Sequence, residues 1–67
     1  MNNMYWEELY EQESREVPKT ANEQIAVRML RAGAGYTEAR FKAGLSGEEM
    51  EDLWERLISW ENEHFGR

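Results

Sequence analysis

Residues 44–60 are GLSGEEMEDLWERLISW, and this stretch decides the fold of the chain. Ser46 followed three residues later by Glu49 is a capping box, in which each side chain accepts a hydrogen bond from the other residue's backbone N–H. Leu45 and Met50 flank the box with the spacing of a hydrophobic staple. We therefore predict that a helix begins directly after Ser46.

This C-terminal helix is amphipathic and should extend to about residue 64. Placed at ~100° per residue, its apolar side chains cover roughly 160° of its circumference. They are Met50, Leu53, Trp54, Leu57, Ile58, Trp60 and Phe65. We expect Leu53, Trp54 and Leu57 to lie in the core. The opposite side is acidic and carries Glu48, Glu51, Asp52 and Glu55.

A second capping box begins an earlier helix. Thr20 has the position of the N-cap, Glu23 can reach back to it, and the helix should run to about Ala32. Its apolar side chains leave only a narrow polar stripe of Gln24, Arg28 and Arg31. A helix that is apolar nearly all round packs against several neighbours. We therefore predict a central, almost wholly buried helix.

Two further helices complete the prediction. One should run from about Met4 to Ser14, capped by Asn2 or Asn3, because the Val-Pro pair that follows disfavours helix. A short one should span residues 36–43, between two glycine stops. The sequence thus predicts an all-α bundle of three main helices plus one short helix, as a single domain over residues 1–67.

The length of the chain limits its stability. A domain of 67 residues buries only ~60% of the surface that its unfolded chain exposes. The sequence contains no Cys, so neither a disulfide nor a thiolate metal site can support it. Self-association is another source of stability, and a homodimer is a candidate state. We find no signal peptide or membrane span, and we expect a soluble, cytoplasmic protein.

The net charge of -6 is unevenly distributed. Residues 1–18 have five acids and one base (-4), residues 19–46 five bases and two acids (+3), and residues 47–67 seven acids and two bases (-5). The acidic ends can fold back on the basic middle, or they can present an acidic face to a cationic partner. Net negative charge disfavours non-specific binding to DNA or to anionic membranes.

The sequence offers no set of residues that suits catalysis or metal binding. His64 is the only histidine, it lies near the C-terminus, and none of the hydroxyl residues has a base nearby in sequence. The helical carboxylates do not match a calcium-binding loop pattern. We therefore predict that the protein is not an enzyme and has no cofactor, no metal and no catalytic residues.

One segment resembles a known type of DNA-binding element. Met29-Leu30-x-x-Gly33, then Glu38, then Gly44-Leu45-Ser46-x-Glu48-Glu49-Met50-x-x-Leu53 resembles helix-turn-helix segments of transposases and small regulators. The resemblance covers about residues 25–57. It implies a tri-helical arrangement of the last three helices and, as one alternative, a DNA-binding transcriptional regulator.

The departures from that pattern weigh against DNA. Arg40 stands where such segments usually have a small residue, and Lys42 where they have an aliphatic one. The third helix of such a segment enters the major groove, yet here its first turns are acidic and would be repelled by phosphates. A weaker nucleic-acid alternative uses a basic stripe. Its candidate residues are Arg28, Arg31, Arg40 and Lys42.

Protein binding is the function that the sequence favours. Three Trp, three Tyr, two Phe and four Met exceed what so small a core can bury, and such residues are enriched at interfaces. The candidate binding residues are Glu48, Glu51, Asp52, Glu55, Trp60, Trp6 and Phe41. We predict a small acidic protein that inhibits or regulates another protein. Phages and mobile elements encode proteins of this type, and some of them could act as mimics of nucleic acid. The partner of this chain would present a basic or mixed basic and apolar surface.

Overall fold

The computed structural model describes the backbone of residues 4–65 and the side chains of residues 7–65, and this part of the chain forms four helices and no strand. The helices are α1 (Met4–Glu16), α2 (Ala21–Arg31), α3 (Tyr36–Ala43) and α4 (Gly47–His64). The predicted all-α class, with three longer helices and one short one, is confirmed. None of these helices is long and apolar enough to cross a membrane.

The capping box at Ser46 forms completely, whereas at Thr20 only the N-cap half of the predicted box forms. The Ser46 Oγ accepts from the Glu49 N–H at 3.1 Å, and the Glu49 carboxylate accepts from the Ser46 N–H at 2.8 Å. At the start of α2, the Thr20 Oγ1 accepts from the Glu23 N–H at 3.1 Å. However, the Glu23 carboxylate accepts from the N–H of Lys19, one residue before the N-cap. Each helix therefore begins where the sequence predicts. The capping residues proposed for α1, Asn2 and Asn3, lie outside the described residues.

Two glycines with positive φ form the turns on either side of α3. Gly33 (φ 105°) follows α2, and Gly44 (φ 75°) ends α3 in the left-handed conformation. The Leu45 N–H returns to the Arg40 carbonyl at 3.0 Å, which closes the C-terminal turn of α3. Because L side chains are strained at such φ values, glycine suits both positions. Short turns thus place α2, α3 and α4 against one another.

The apolar core lies mainly between α2, α3 and α4. α3 packs against α2 and contributes Ala39 and Ala43, two small buried residues one turn apart. These two alanines are the direct neighbours of Arg40 and Lys42, the positions at which helix-turn-helix segments usually have a small and an aliphatic residue. Among the residues whose side chains are described, the buried core consists of Val17, Ala26, Val27, Ala39, Ala43, Leu45, Met50, Leu53 and Leu57.

Two predictions about burial are wrong. α2 is not almost wholly buried, because α1 and α3 contact it on two sides and leave an outer sector, with Ile25 46% exposed, in solvent. Trp54, which we predicted in the core, is 38% exposed. The Tyr36 ring meets the Trp54 ring edge-on, with the ring centroids 5.2 Å apart. Leu53 and Leu57 are buried as predicted.

α1 also extends beyond its predicted end. The helix continues two residues past Ser14, to Glu16, and the Val17 N–H still bonds the Glu13 carbonyl at 3.0 Å. Pro18 then prevents further helix, since it has no N–H to donate. The extension matters because it places Glu16, in addition to Glu13, on the helix that contacts α4.

Candidate functional site

The acidic side of α4 faces away from the core. Glu48, Glu51 and Glu55 are all exposed, and at ~100° per residue they lie within about 60° of one another around the helix. None of the three carboxylates forms a hydrogen bond or ion pair with the described residues. We call Glu48, Glu51 and Glu55 the acidic stripe. It combines negative charge with freedom to engage an external cation.

Asp52 lies beside the acidic stripe but has a partner. Its Oδ2 accepts from the Arg56 Nε at 3.1 Å, one helical turn later. The Asp52 side chain is nevertheless 65% exposed, and an ion pair so exposed is worth little. All four predicted carboxylates therefore lie on one side of α4, and Asp52 is the least available of them.

An exposed apolar strip adjoins the acidic stripe. Trp54 and Ile58 are 38% and 43% exposed, and they lie on α4 between the acidic stripe and the buried Leu57. The Tyr36 ring, from the start of α3, meets the Trp54 ring edge-on at an interplanar angle of 81°. We call Tyr36, Trp54 and Ile58 the apolar strip. The exposure of Trp54 was not expected, because its spacing on α4 predicted that it lies in the core.

Trp60 lies on the opposite flank of α4, facing α1. Its indole N–H donates to the Glu16 carboxylate at 3.1 Å, and its ring stacks on His64 with centroids 3.8 Å apart. The Phe65 ring adds an edge-on contact. Trp60 is therefore partly buried and joins α1 to α4, and the structure does not bring it together with the acidic stripe.

The other two aromatic candidates are not part of this surface. Phe41 lies on the outer side of α3, is 67% exposed, and has the Arg40 guanidinium 4.5 Å above its ring centroid. The Trp6 side chain lies outside the described residues. The predicted binding residues thus divide into a connected group on α4 and individual residues elsewhere.

Three of the four candidate nucleic-acid residues have intramolecular partners. Arg31 is paired with carboxylates of α1 and α4, and Lys42 with Glu38 at 3.3 Å. Arg40 donates to the Leu45 carbonyl at 3.2 Å and stacks on Phe41. Arg28 is exposed and forms no ion pair with the described residues. The expectation that the acidic ends neutralise part of the basic middle is confirmed at Arg31.

A buried carboxyl group on α1 was not recognised from the sequence. The Glu13 side chain is 0% exposed, and the Arg31 Nε lies 3.1 Å from one of its oxygens. Burial and a hydrogen bond with Glu61 raise the pKa of Glu13 to about 8, although the Arg31 charge acts in the opposite direction. A signal was present, because Glu13 lies four residues after Leu9 and four before Val17, on the apolar side of α1.

Arg56 joins three parts of the chain. Its guanidinium donates to the Glu23 carboxylate of α2 at 2.8 Å, to Asp52, and to the Val17 carbonyl in the link between α1 and α2. Glu23 is itself nearly buried. This network serves the fold, because Arg56 gives a donor to the second oxygen of a nearly buried carboxylate, whose first oxygen accepts from the Lys19 N–H, and to a backbone carbonyl.

The described residues contain no group of three or more His, Cys, Asp or Glu side chains placed to hold a metal. Two shallow grooves, of about 370 and 260 Å³, run along α1 and between α1 and α2. Their linings are charged and polar, whereas small-molecule pockets are mostly apolar. They are lined by Glu8, Glu11, Gln12, Arg15 and Glu16, and by Glu11, Ser14, Arg15, Arg28 and Arg31.

Comparison with known proteins adds no assignment. The chain has no significant match among protein-family models, curated proteins or solved structures. Its function must therefore be argued from its own surface.

Proposed function

We propose that this chain is a non-enzymatic protein-binding protein, a small acidic inhibitor or regulator, which docks through the acidic stripe and the apolar strip of α4. The observation that carries the proposal is the position of three carboxylates, which have no partner among the described residues, beside an exposed tryptophan on one helix. The partner would present basic side chains next to an apolar depression.

The two parts of the surface would contribute differently to binding. Trp54 and Ile58 can be desolvated by the partner, and buried tryptophans are frequent energetic centres of interfaces. The carboxylates of the acidic stripe would form the charged rim, which governs association rate and specificity more than affinity. Binding should therefore weaken as salt is added, but it should not be abolished.

The acidic side of α4 also has the charge spacing of a nucleic-acid strand. From Glu48 to Glu55, four carboxylates including Asp52 occupy ~10 Å of helix axis, or one per ~3.5 Å. A single strand of DNA presents one phosphate per ~3.4 Å of axis. A nucleic-acid-binding protein is for this reason a suitable class of partner, whose phosphate-binding groove α4 would occupy.

A helix-turn-helix DNA-binding regulator is the second candidate. It is supported by the order of α2, α3 and α4, by the turn at Gly44, and by the packing of Ala39 and Ala43 against α2. Against it, the N-terminal turns of α4 present the acidic stripe, which phosphates would repel. Arg28 alone among the four basic candidates lacks a partner in the described part of the chain.

Capture from the native host tests the proposal. The bait is the wild-type chain, and the variant replaces Glu48, Glu51 and Glu55 with Gln. A charge-matched control replaces the exposed Glu7, Glu8 and Glu63 with Gln, which changes the net charge equally but leaves α4's acidic stripe intact. We expect one protein to bind the wild type and the control, with about tenfold or greater loss for the acidic-stripe variant.

Two results would contradict the proposal. One is equal capture by the acidic-stripe variant and its control, which would place the interface elsewhere. The other is salt-sensitive retardation of random DNA duplexes by the wild-type chain in a mobility-shift assay, which would favour the DNA-binding alternative. Sedimentation equilibrium of the free chain tests separately whether it is a homodimer.

A further inference from the structure

The Glu13 carboxyl group has an unusual environment for an ionisable side chain. It is fully buried, and neither of its oxygens has a hydrogen-bond donor in the described part of the chain. The Arg31 Nε is 3.1 Å from one oxygen, but it is not aligned to donate a hydrogen bond. A buried carboxylate without donors is costly, so the ionised form of Glu13 fits this site poorly.

A second carboxyl group faces Glu13 from α4. The Glu61 carboxyl group raises the pKa of Glu13 in two ways, by hydrogen bonding and by its like charge. Arg31 of α2 is paired with both carboxyl groups, and its Nη2 lies 2.7 Å from the Glu61 carboxylate. The Tyr10 ring covers the same guanidinium at 4.8 Å. Among the described residues, the charged groups that act on Glu13 are thus one base and one acid, so two carboxylates share a single cation.

We infer that Glu13 and Glu61 share one proton in the folded protein, and that this proton holds α1 against α2 and α4, so that α1 is released on the alkaline side of neutrality. The proton supplies the donor that the Glu13 oxygens lack. It also reduces the charge of the cluster to one carboxylate and one guanidinium, which is a neutral pair.

The direction of the pH effect follows from comparing docked and released α1. In the released helix, Glu13 is in water and has its ordinary pKa of 4.5, whereas docking raises the pKa to about 8. Below the lower value both states hold the proton, and docking is fully favourable. As pH rises from the lower to the higher value, only the docked state retains the proton, and docking weakens progressively.

Release of α1 need not unfold the other helices. Of the buried apolar core formed by residues 7–65, only Val17 comes from the chain before α2. The remaining described contacts of α1 with α2 and α4 include the Glu13 cluster, the Glu16–Trp60 hydrogen bond and the Tyr10 ring contacts. The inference does not depend on the proposed function, because α4's acidic stripe and the Glu13 cluster occupy different sides of the helix.

The direct test is a carboxyl ¹³C NMR titration of the folded wild-type chain. We expect the Glu13 signal to titrate on the alkaline side of neutrality, well above the exposed Glu63 signal recorded in the same experiment. A Glu13 midpoint below pH 5 would overturn the inference. This measurement requires no substitution and is therefore independent of any folding defect.

The second test follows amide hydrogen exchange in α1. After correction for intrinsic rates, the opening equilibrium of α1 should rise about tenfold per pH unit between about pH 5 and pH 8. In Glu13→Gln the side-chain amide donates permanently to Glu61, and this pH dependence should disappear. The control Glu11→Gln, on the exposed side of α1, should behave as wild type. Equal pH dependence in wild type and Glu13→Gln would overturn the inference.

Discussion

α1 and the unit formed by α2, α3 and α4 are held in the protein by different kinds of contact. The unit is joined by buried apolar side chains and by turns with well-formed caps. The described side chains of α1 are joined to it largely by hydrogen bonds and charge pairs, at Glu13 and Glu16 above all. Apolar contacts are indifferent to pH, whereas the contacts of α1 titrate. The comparison therefore predicts one part of constant stability and one that responds to protons.

The proposed binding surface lies wholly on the apolar unit of α2, α3 and α4. The acidic stripe and the apolar strip lie on α4 and α3, which belong to the apolar unit. A surface built on rigid helices keeps its geometry when the partner arrives and costs little ordering entropy. Release of α1 would leave this surface intact.

The largest predicted effect is loss of the whole fold when the apolar unit is broken. Leu53 is 0% exposed at the centre of the core, so Leu53→Asp buries an unpaired charge and should unfold the domain. Leu30→Asp should be less severe, because Leu30 is only partly buried. Circular dichroism melting measures both, and a Leu53→Asp variant that melts like wild type would show that the core is wrongly assigned.

A smaller effect is expected where Arg56 joins the two regions. Arg56→Met removes the cation and one donor from the nearly buried Glu23 carboxylate, which keeps only the Lys19 N–H, and removes the side-chain donor of the Val17 carbonyl, at a cost of about 2–4 kcal/mol. Lys42→Met, which removes only an exposed ion pair with Glu38, should change stability by less than ~0.5 kcal/mol. Urea denaturation of the two variants gives the comparison, and similar losses for both would indicate that the Arg56 network is not structural.

The smallest effect is confined to α1. The pKa of Glu16 is lowered by hydrogen bonds from Gln12 and from the Trp60 indole, so the contact is present above its ordinary value of 4.5 and is lost as pH falls through the folded value. Trp60→Phe keeps an aromatic ring but removes the indole donor. In Trp60→Phe the pKa of Glu16 should rise towards its ordinary value, whereas in Trp54→Phe the pKa of Glu16 should be unchanged. An unchanged Glu16 midpoint in Trp60→Phe would mean that the indole contact is absent in solution.

Much of the fold could be predicted because its signals are local. The capping box at Ser46, the glycine stops and the apolar spacing of α4 each depend on residues within one or two turns. They gave the bounds of α3 and α4 as the structure has them. The acidic stripe was predicted for the same reason, since it follows from helical periodicity alone.

The remaining features depend on tertiary packing that no local pattern contains. Trp54 has core spacing but is 38% exposed, with the edge of the Tyr36 ring against it. Ile25 is 46% exposed, although it lies on the apolar side of α2 that the sequence assigned to the core. Glu13 lies on the apolar side of α1, but its burial depends on Arg31 and Glu61, which are distant in sequence. Charge and periodicity predicted that acids lie on solvated faces, and Glu13 is the exception.

Native-state hydrogen exchange of the wild-type chain, recorded residue by residue in increasing urea at pH 6 and pH 8, tests the two-part construction most directly. We expect the α1 amides to exchange by a local opening that depends little on urea. After correction for intrinsic rates, they should exchange faster at pH 8 than at pH 6. The amides of Val27 and Leu53 should exchange only through global unfolding, with a strong urea dependence. A single opening free energy and a single urea dependence shared by α1 and α4 at both pH values would contradict it.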